Sequence, residues 1–383
     1  MVSVKNKIVL WARAGGRCQY QGCNRPLVGD LVSGRDTLNA AYVAHIVAES
    51  PDGPRGDVLR SPVLADAVEN LMLLCDVHHR LIDREGLADH PEERLLAMKA
   101  EHERRIELVT GIDPSRSSHM LLYGARIGAH DYPVRADLAR TAMLPERFPA
   151  DFNAITLDMA GVAYADHEEA YWPLQAENLR RQFRAKVLDR FRGGDVHHLS
   201  LFALAPQPLL IVLGHLLSDI AGVEVHQLHR EPQDWRWRDG PAVPFTLTAA
   251  KATGPVVALK LGLSATIVDD RIRAALGVDV PIWAITAAEP HNDILQTRAS
   301  LAAFRRVARQ AFDRIKAHHG ENAVIHVFPA VPVSAAVEFG RVWMPKADLP
   351  MVIYDQNRAT GGFVARLSIP EQSAAGSEVN DAA

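Results

Sequence analysis

Two stretches of this 383-residue chain repeat one another, and that repetition limits the folds open to it more than any other feature. The first is HLSLFALAPQPLLIVLGHLLSD (198–219) and the second VIHVFPAVPVSAAVEFGRVWMP (324–345). Phe202, Pro206 and Gly214 recur as Phe328, Pro332 and Gly340, each 126 positions later. Upstream, LRRQFRAKVLDR (179–190) parallels FRRVARQAFDR (304–314) with one gap, and ITLDMAG (155–161) parallels IWAITAAEP (282–290). Downstream, VHQLHR (225–230) parallels IYDQNR (353–358). The unit reads strand, loop, helix, strand, turn, helix, strand. That alternation predicts parallel βαβ connections and an α/β sheet in each half. An apolar run such as VIHVF suits a strand covered on both faces, and the prolines between strand and helix are tolerated in a helix's first turn.

Ligands of such sheets bind beyond the carboxyl ends of the strands, where helix N-termini favour anions. Two copies would set two phosphate-binding helix N-termini about one pseudo-twofold axis; a duplication that serves packing alone is the other reading. The copies are expected at about 150–240 and 280–370 of a region spanning 150–370. A linker with short strands (113–149) would precede it, opened by the Gly/Pro/Ser-rich GIDPSRSSH (111–119). The last residues, 371–383, are small and polar and read as a disordered tail.

No run of about 18 uninterrupted apolar residues occurs, which argues against a membrane span; the best candidate, 201–217, is broken by two prolines, Gln207 and His215. The start of the chain has no signal-peptide core, so a cytoplasmic location is expected. The net charge of −4 predicts no global attraction to nucleic acid. Residues 1–60 nevertheless carry 8 basic against 5 acidic groups, leaving Arg13, Arg17, Arg25, Arg55 and Arg60 as a local patch.

The chain has 3 cysteines, an odd number that argues against a disulfide framework. Cys18 and Cys23 bracket the knuckle CQYQGC, and Cys75 with His78 forms a second short pair. Two such pairs separated by a long insert are the pattern of a four-ligand tetrahedral zinc site, closed and therefore structural. The alternative is three unrelated buried thiols. The following residue is a second histidine, His79, which faces about 100° away on a helix and so serves another site.

With the strand-like YVAHIVA (42–48), which carries His45, the order becomes His45, Asn70, His79, interleaved with the zinc pairs. Here the chain resembles the HNH endonuclease family, whose ββα-metal motif combines His-Ile on a strand, Asn-Leu, and Leu-Cys-x-x-[Cys/His]-His. AHI, NLMLLC and CDVHH stand in that order, over roughly residues 10–110. The resemblance implies a small zinc-containing ββα-metal domain at 1–112; the apolar spacing of PEERLLAMKAEHERRIEL (91–108), with dense charge between, predicts a solvated amphipathic helix that closes it. The resemblance also implies His45 as the base that activates water, Asn70 as the brace that orients it, and His79 as ligand to Mg²⁺ or another divalent cation at the scissile phosphate. A near-neutral imidazole can deprotonate water, and a cation neutralises charge building on phosphorus. Many family members carry Asp just before the strand histidine; here that residue is Ala44. The cation would then keep more water or borrow Glu49 or Asp83. Taken alone, His45 also reads as a core histidine.

The second half resembles the SAVED domain, a fused pair of CARF-like Rossmannoid α/β units that senses cyclic oligonucleotides. The two repeated stretches and GGFVARLSI (361–369) carry that resemblance. An HNH unit followed by SAVED resembles the effector nucleases of bacterial CBASS anti-phage defence. That resemblance implies a cyclic dinucleotide activator, a homo-oligomer (dimer to tetramer) formed on binding it, and cleavage of double-stranded DNA. For the ligand pocket, HREPQDWRWRDG (229–240) offers Trp235 and Trp237, whose aromatic faces can stack on bases. Alternate residues of an extended stretch face opposite ways, so at most one of them stacks. Trp172 and His291 follow the first-strand loops of the two halves, and Tyr354 lies in the repeated strand IYDQNR. Phe202 and Phe328 read equally as core, and Lys260 equally as a phosphate contact or a solvated strand residue. A second function class fits too: a zinc-stabilised cyclic-nucleotide sensor that binds DNA or a partner without cleaving it, which Ala44 favours.

Overall fold

LMLLC (71–75), five apolar residues without a polar interruption, is buried at every position and forms the centre of the first of two units, Met1–Pro114. The computed structural model describes residues 2–30, 35–128, 134–157, 164–357 and 361–370; the expected disordered tail at 371–383 lies outside them. This unit runs α1 (Val4–Ala14), β1 (Val28–Asp30), β2 (Arg35–Asn39), β3 (Ala41–His45), α2 (Arg60–Leu64), β4 (Leu71–Cys75), α3 (Asp76–Arg80) and α4 (Glu92–Thr110). The Ser3 hydroxyl caps α1 by accepting the Asn6 amide at 3.3 Å. Gly15 ends α1 in the left-handed region, φ 60°, where only a residue without Cβ sits without strain.

β3 and β4 pair antiparallel, Ala41 opposite Cys75 and His45 opposite Leu71, and α3 follows at once. Leu10 and Ala14 of α1 and Leu95 and Met98 of α4 cover β4. Two polar residues of α4 are buried as well. Lys99 pairs with Glu103 within the helix, and His102 donates from Nε2 to the Ala14 carbonyl at 2.9 Å, which ties the charge-rich helix to α1.

The second unit, Ser115–Ala383, begins with β5 (Ser117–Gly124), α5 (Ala136–Met143), β6 (Phe148–Pro149), β7 (Ile155–Leu157), α6 (Tyr171–Phe183), α7 (Asp189–Arg192), β8 (Leu199–Leu204), α8 (Gln207–Leu216) and β9 (Val223–Val225). It continues with β10 (Phe245–Thr248), β11 (Val256–Gly262), α9 (Asp269–Leu276), β12 (Ile282–Ala287), α10 (Arg298–His319), β13 (Val324–Ala330), α11 (Val333–Val342), β14 (Met351–Gln356) and β15 (Phe363–Ile369). The first sheet has the parallel order β7-β5-β8-β9, with β6 beside the start of β5. The second has the parallel order β12-β11-β13-β14, flanked by antiparallel β10 and β15.

The two orders match strand for strand, and this corrects the expected boundaries. Each repeat starts one strand and one helix earlier than the repeated strings suggest, with β5-α5 and β11-α9. Residues 113–149 therefore hold the central strand of the first sheet as well as connecting chain. The inner faces of both sheets share one core with α6, α8, α10 and α11. α8 packs on α11, and each reaches across to the other half's sheet, α8 to β14 and β15, α11 to β8 and β9. α5 covers the outer face of the first sheet and α9 that of the second. Among the described residues no helix is long and apolar enough to cross a membrane.

Candidate metal centre and sensor surfaces

In the first unit the knuckle is closed by backbone bonds, Cys18 N–H to Arg25 O at 2.9 Å and Cys23 N–H to Tyr20 O at 3.0 Å. It comes against the end of β4, so that the ligand atoms of Cys18, Cys23, Cys75 and His78 lie within 4.8 Å of one another. Nδ1 of His78 is 3.2 Å from Cys75 Sγ and 3.6 Å from Cys18 Sγ. Three thiols and one imidazole nitrogen converging at this spacing suit tetrahedral zinc, whose thiolate bonds are about 2.3 Å long. Burial pushes the Cys18 thiol up to about 12, so a metal here must displace a firmly held proton. Tyr20 stacks on His78 at 4.0 Å, and its hydroxyl reaches Nε2 of His90 at 3.0 Å. His90 donates from Nδ1 to Gly86 O at 2.6 Å, which leaves Nε2 to accept from Tyr20 and fixes the ring that lies on the ligand.

His45, Asn70 and His79 lie around the same strand pair. His45 donates from Nε2 to the Ala65 carbonyl at 2.9 Å, which leaves Nδ1 as the nitrogen able to take a proton. Asn70 is buried: its Oδ1 accepts the Val47 amide at 2.8 Å, and its Nδ2 donates to the carbonyls of Val47 at 2.8 Å and Leu64 at 3.2 Å. It thereby clips the exit of β3 to the segment that returns to β4. His79 stacks on Tyr42 of β3 at 4.9 Å, and its Nε2 is 3.4 Å from Asp83 Oδ2. Arg55 holds the other oxygen of Asp83 at 2.6 Å and also donates to the carbonyls of Ile46 and Ile82.

Of the two carboxylates considered beside His79, Asp83 is thus the one in contact with it, while Glu49 is exposed on the loop after β3. Ala44 is buried in the core. One imidazole and one carboxylate fit a hard divalent cation that keeps several waters. Arg55, expected on a DNA-facing patch, is instead spent on Asp83, and Arg60 pairs with Glu92.

In the second unit the proposed ligand aromatics are mostly core. Phe202 lies wholly buried under α5, stacked on His226 at 4.3 Å with Trp235 edge-on at 5.5 Å. Phe328 occupies the equivalent place under α9, stacked on Tyr354 at 4.4 Å, and Tyr354 bonds His326 Nδ1 at 3.0 Å. Trp172 is buried, with its indole N–H given to Asp166 O at 2.8 Å. Trp172, Phe202, Trp235, Phe328 and Tyr354 therefore present no open face to a base. Lys260 is held by Asp269 at 2.5 Å.

Trp237 and His291 remain. They lie on the loops after β9 and β12, which meet through Arg238 N–H to Gln296 O at 3.0 Å. Trp237 is half-buried, edge-on to His229 at 6.3 Å, and His291 is exposed.

Residues 179–369 match the family model described as SMODS-associated and fused to various effectors sensor domain, SAVED. The second unit contains a SAVED domain. The match opens inside α6, so β5, α5 and β7 complete its first half by topology. A solved Acinetobacter baumannii Cap4 SAVED/CARF-domain receptor with the cyclic trinucleotide 2′3′3′-cAAA is similar at 14% identity and TM-score 0.43, over 73% of this chain and 56% of that one. A Moraxella osloensis Cap4 SAVED/CARF-domain receptor is similar at 13% identity and TM-score 0.39, over 72% and 54%. The chain thus spans about half the length of these receptors. A comparison with curated proteins returned no match.

Within the SAVED domain the helix N-termini are partly occupied from inside the fold. Gln227 accepts both the amide and the hydroxyl of Ser334, at 3.1 and 2.7 Å, in the first turn of α11. Gln207 of α8 accepts the Val331 amide at 3.2 Å. These two glutamines bind the halves together, and sequence reasoning passed over them. The signal was slight: in VHQLHR and IYDQNR, Gln227 aligns with Asp355, a polar residue in the same place of both halves.

Proposed function

We propose that this chain is a cyclic-oligonucleotide-gated DNA endonuclease, in which the SAVED domain senses the activator and the first unit cuts double-stranded DNA as part of CBASS-type defence. Support for the sensor is the family match over 179–369, in a domain described as fused to various effectors. The observation that supports the nuclease half is the set of side chains around β3 and β4: His45 with one ring nitrogen committed to Ala65 O, Asn70 clipping the exit of β3, and the His79–Asp83 pair.

His45 takes the proton of an attacking water on Nδ1, because Nε2 is committed to Ala65 O. Asn70 keeps that strand end in place through its three backbone bonds. His79 and Asp83 would hold the divalent cation, which when bound neutralises charge on the scissile phosphate. Arg55 aims the carboxylate, and Tyr42 fixes the plane of the His79 ring. The Cys18, Cys23, Cys75, His78 set would hold a structural zinc beneath the helix that carries His79.

The test is purified protein with plasmid, Mg²⁺ and a panel of cyclic di- and trinucleotides. Cleavage, and a rise in particle mass, with one cyclic nucleotide and not without it are expected. Cyclic-nucleotide binding with no cleavage under any divalent cation would leave the second reading, a zinc-stabilised sensor without nuclease activity. The small protein ligand set at His79 is the observation that favours that reading.

A further inference from the structure

The segment 180–192, RRQFRAKVLDRFR, holds six basic residues and one acid in a chain of net charge −4. In the SAVED domain it borders an open groove of about 680 Å³. Arg180, Arg181, Arg184 and Arg192 line it over a partly apolar floor that includes Phe191 and Leu216, with Glu177 and Asp219 as its acids. Arg181, Arg184 and Arg192 are exposed and form no ion pair with any described residue.

The duplication supplies an internal comparison. Arg180, Arg181 and Arg184 correspond to Arg305, Arg306 and Arg309 of the second half. There the charge is answered within the fold: Arg305 meets Glu338 at 3.0 Å, and Arg309 binds both Asp348 and Asp313. Glu338 also holds Arg341 at 2.6 Å. Its counterpart in the first half is Val212, buried and uncharged. Arg184 thus lacks the internal anions that its counterpart Arg309 has, while Arg181 and its counterpart Arg306 form no ion pair with any described residue.

We propose that Arg181, Arg184 and Arg192 dock the phosphate backbone of nucleic acid on the SAVED domain. The inference rests on the nuclease reading, which requires a protein of net negative charge to hold DNA. In the first unit Arg55, Arg60 and Arg80 are paired with Asp83, Glu92 and Asp76, so only part of its basic charge, such as Arg17 and Arg25, is left for DNA. Guanidinium groups suit phosphate, and contacts to the backbone read no sequence.

The experiment uses the full chain, without Mg²⁺, and a fluorescent 30-base-pair duplex whose binding is followed against salt. The triple variant Arg181→Gln/Arg184→Gln/Arg192→Gln is expected to bind about 10–100-fold more weakly at low salt, with the slope of log affinity against log salt reduced by about 2–3. The triple lysine variant, which keeps the charge, should retain most of the affinity and reports on folding. Wild-type affinity and slope in the glutamine variant would overturn the proposal. So would binding of poly-L-glutamate but not duplex at these arginines, which would point to an acidic protein partner. If wild-type protein binds duplex through these residues yet cuts nothing under any activator, the nuclease reading fails and the docking site stands. If it cuts, and the glutamine variant binds and cuts equally, only the docking site fails.

Discussion

Gly214 lies against the backbone of the helix that carries Gly340, and Gly340 lies against the backbone of the helix that carries Gly214. A Cβ on Gly214 would come 1.9 Å from the Val337 carbonyl oxygen, and one on Gly340 would come 1.9 Å from that of Ile211. The contacts exchange under the same 126-residue offset that relates the two halves, so this crossing of α8 and α11 lies on their pseudo-twofold relation.

Gly214→Ala is therefore expected to destabilise the second unit even though alanine favours a helix by about 1 kcal/mol. The added methyl must push a pair of buried helices apart, and overpacking of this kind costs about 1–3 kcal/mol or more. The double variant with Gly340→Ala should cost less than the sum, because the first substitution has already spread the pair. Urea unfolding of the three variants measures this, and strict additivity would show that the two contacts are independent.

The repeat was legible where the chain cannot vary, at Phe202, Pro206 and Gly214, because a covered strand, a helix start and a helix crossing each tolerate few residues. Its first strand was not. Gly124 and Gly262 end equivalent strands 138 positions apart, whereas Gly214 and Gly340 stand 126 apart, because the intervening connections differ in length and surface loops absorb such changes at small cost. The aromatic ligand residues misled for a related reason. In a parallel sheet covered on both faces, an aromatic on a strand is inside whichever way it points, as Phe202 and Phe328 are. The clustering of Cys18, Cys23, Cys75 and His78 was legible because the chain has so few cysteines. The Arg55–Asp83 bond, between residues 28 positions apart and made in loops, left no trace in spacing.

Elemental analysis is expected to find about one zinc per chain. Cys75→Ser should lose it and unfold the first unit, because a small metallo-domain draws much of its folding free energy from the metal. The buried, hard-to-ionise Cys18 thiol means that uptake releases protons and weakens as pH falls. Folded, metal-free protein with a cooperative unfolding transition in the first unit would sink the assignment.

His226 sets a pH dependence in the second unit. Burial holds it down to about 4; its Nδ1 donates to Trp235 O at 3.2 Å, and its Nε2 is buried without a partner among the described residues. The unfolded chain binds a proton near pH 6.5 and the folded one only near 4, so stability is full above about 6.5 and falls as pH drops toward 4. The difference is on the order of 3 kcal/mol for this one group. His198, held down to about 4 by burial as well, acts with the same sign. Denaturant unfolding between pH 7 and 4.5 should show this loss, and His226→Phe, which keeps the stack on Phe202, should reduce its slope by about one proton. An unchanged slope in that variant would clear His226 of the effect.

His45→Ala is expected to lower cleavage by about 10²–10⁴-fold while leaving zinc content and the unfolding transition as they were. Asn70→Ala should behave differently. It breaks three backbone bonds in a buried site, so it should cost about 1–3 kcal/mol of stability in the first unit as well as activity. Plasmid digestion run beside chemical unfolding separates the two. Retention of a tenth or more of wild-type cleavage in His45→Ala would assign the base elsewhere.

Trp235 and Trp237, two residues apart, should respond in opposite ways. Trp235 is 3% exposed and set edge-on against Phe202, so Trp235→Ala opens a cavity under α5 and is expected to cost about 3–5 kcal/mol. Trp237 is half-buried on the loop that meets the His291 loop, with its indole nitrogen unbonded among the described residues, and its removal should disturb the fold far less. If it stacks on a base of the activator, a loss of about 1–3 kcal/mol weakens binding by roughly 5–150-fold, and activation shifts with it. Isothermal titration with the activating cyclic nucleotide, paired with a thermal melt, gives both readings on each variant. A Trp237→Ala protein that melts and binds as wild type does would remove Trp237 from the ligand site and leave His291, on the facing loop, as the remaining sequence-derived candidate.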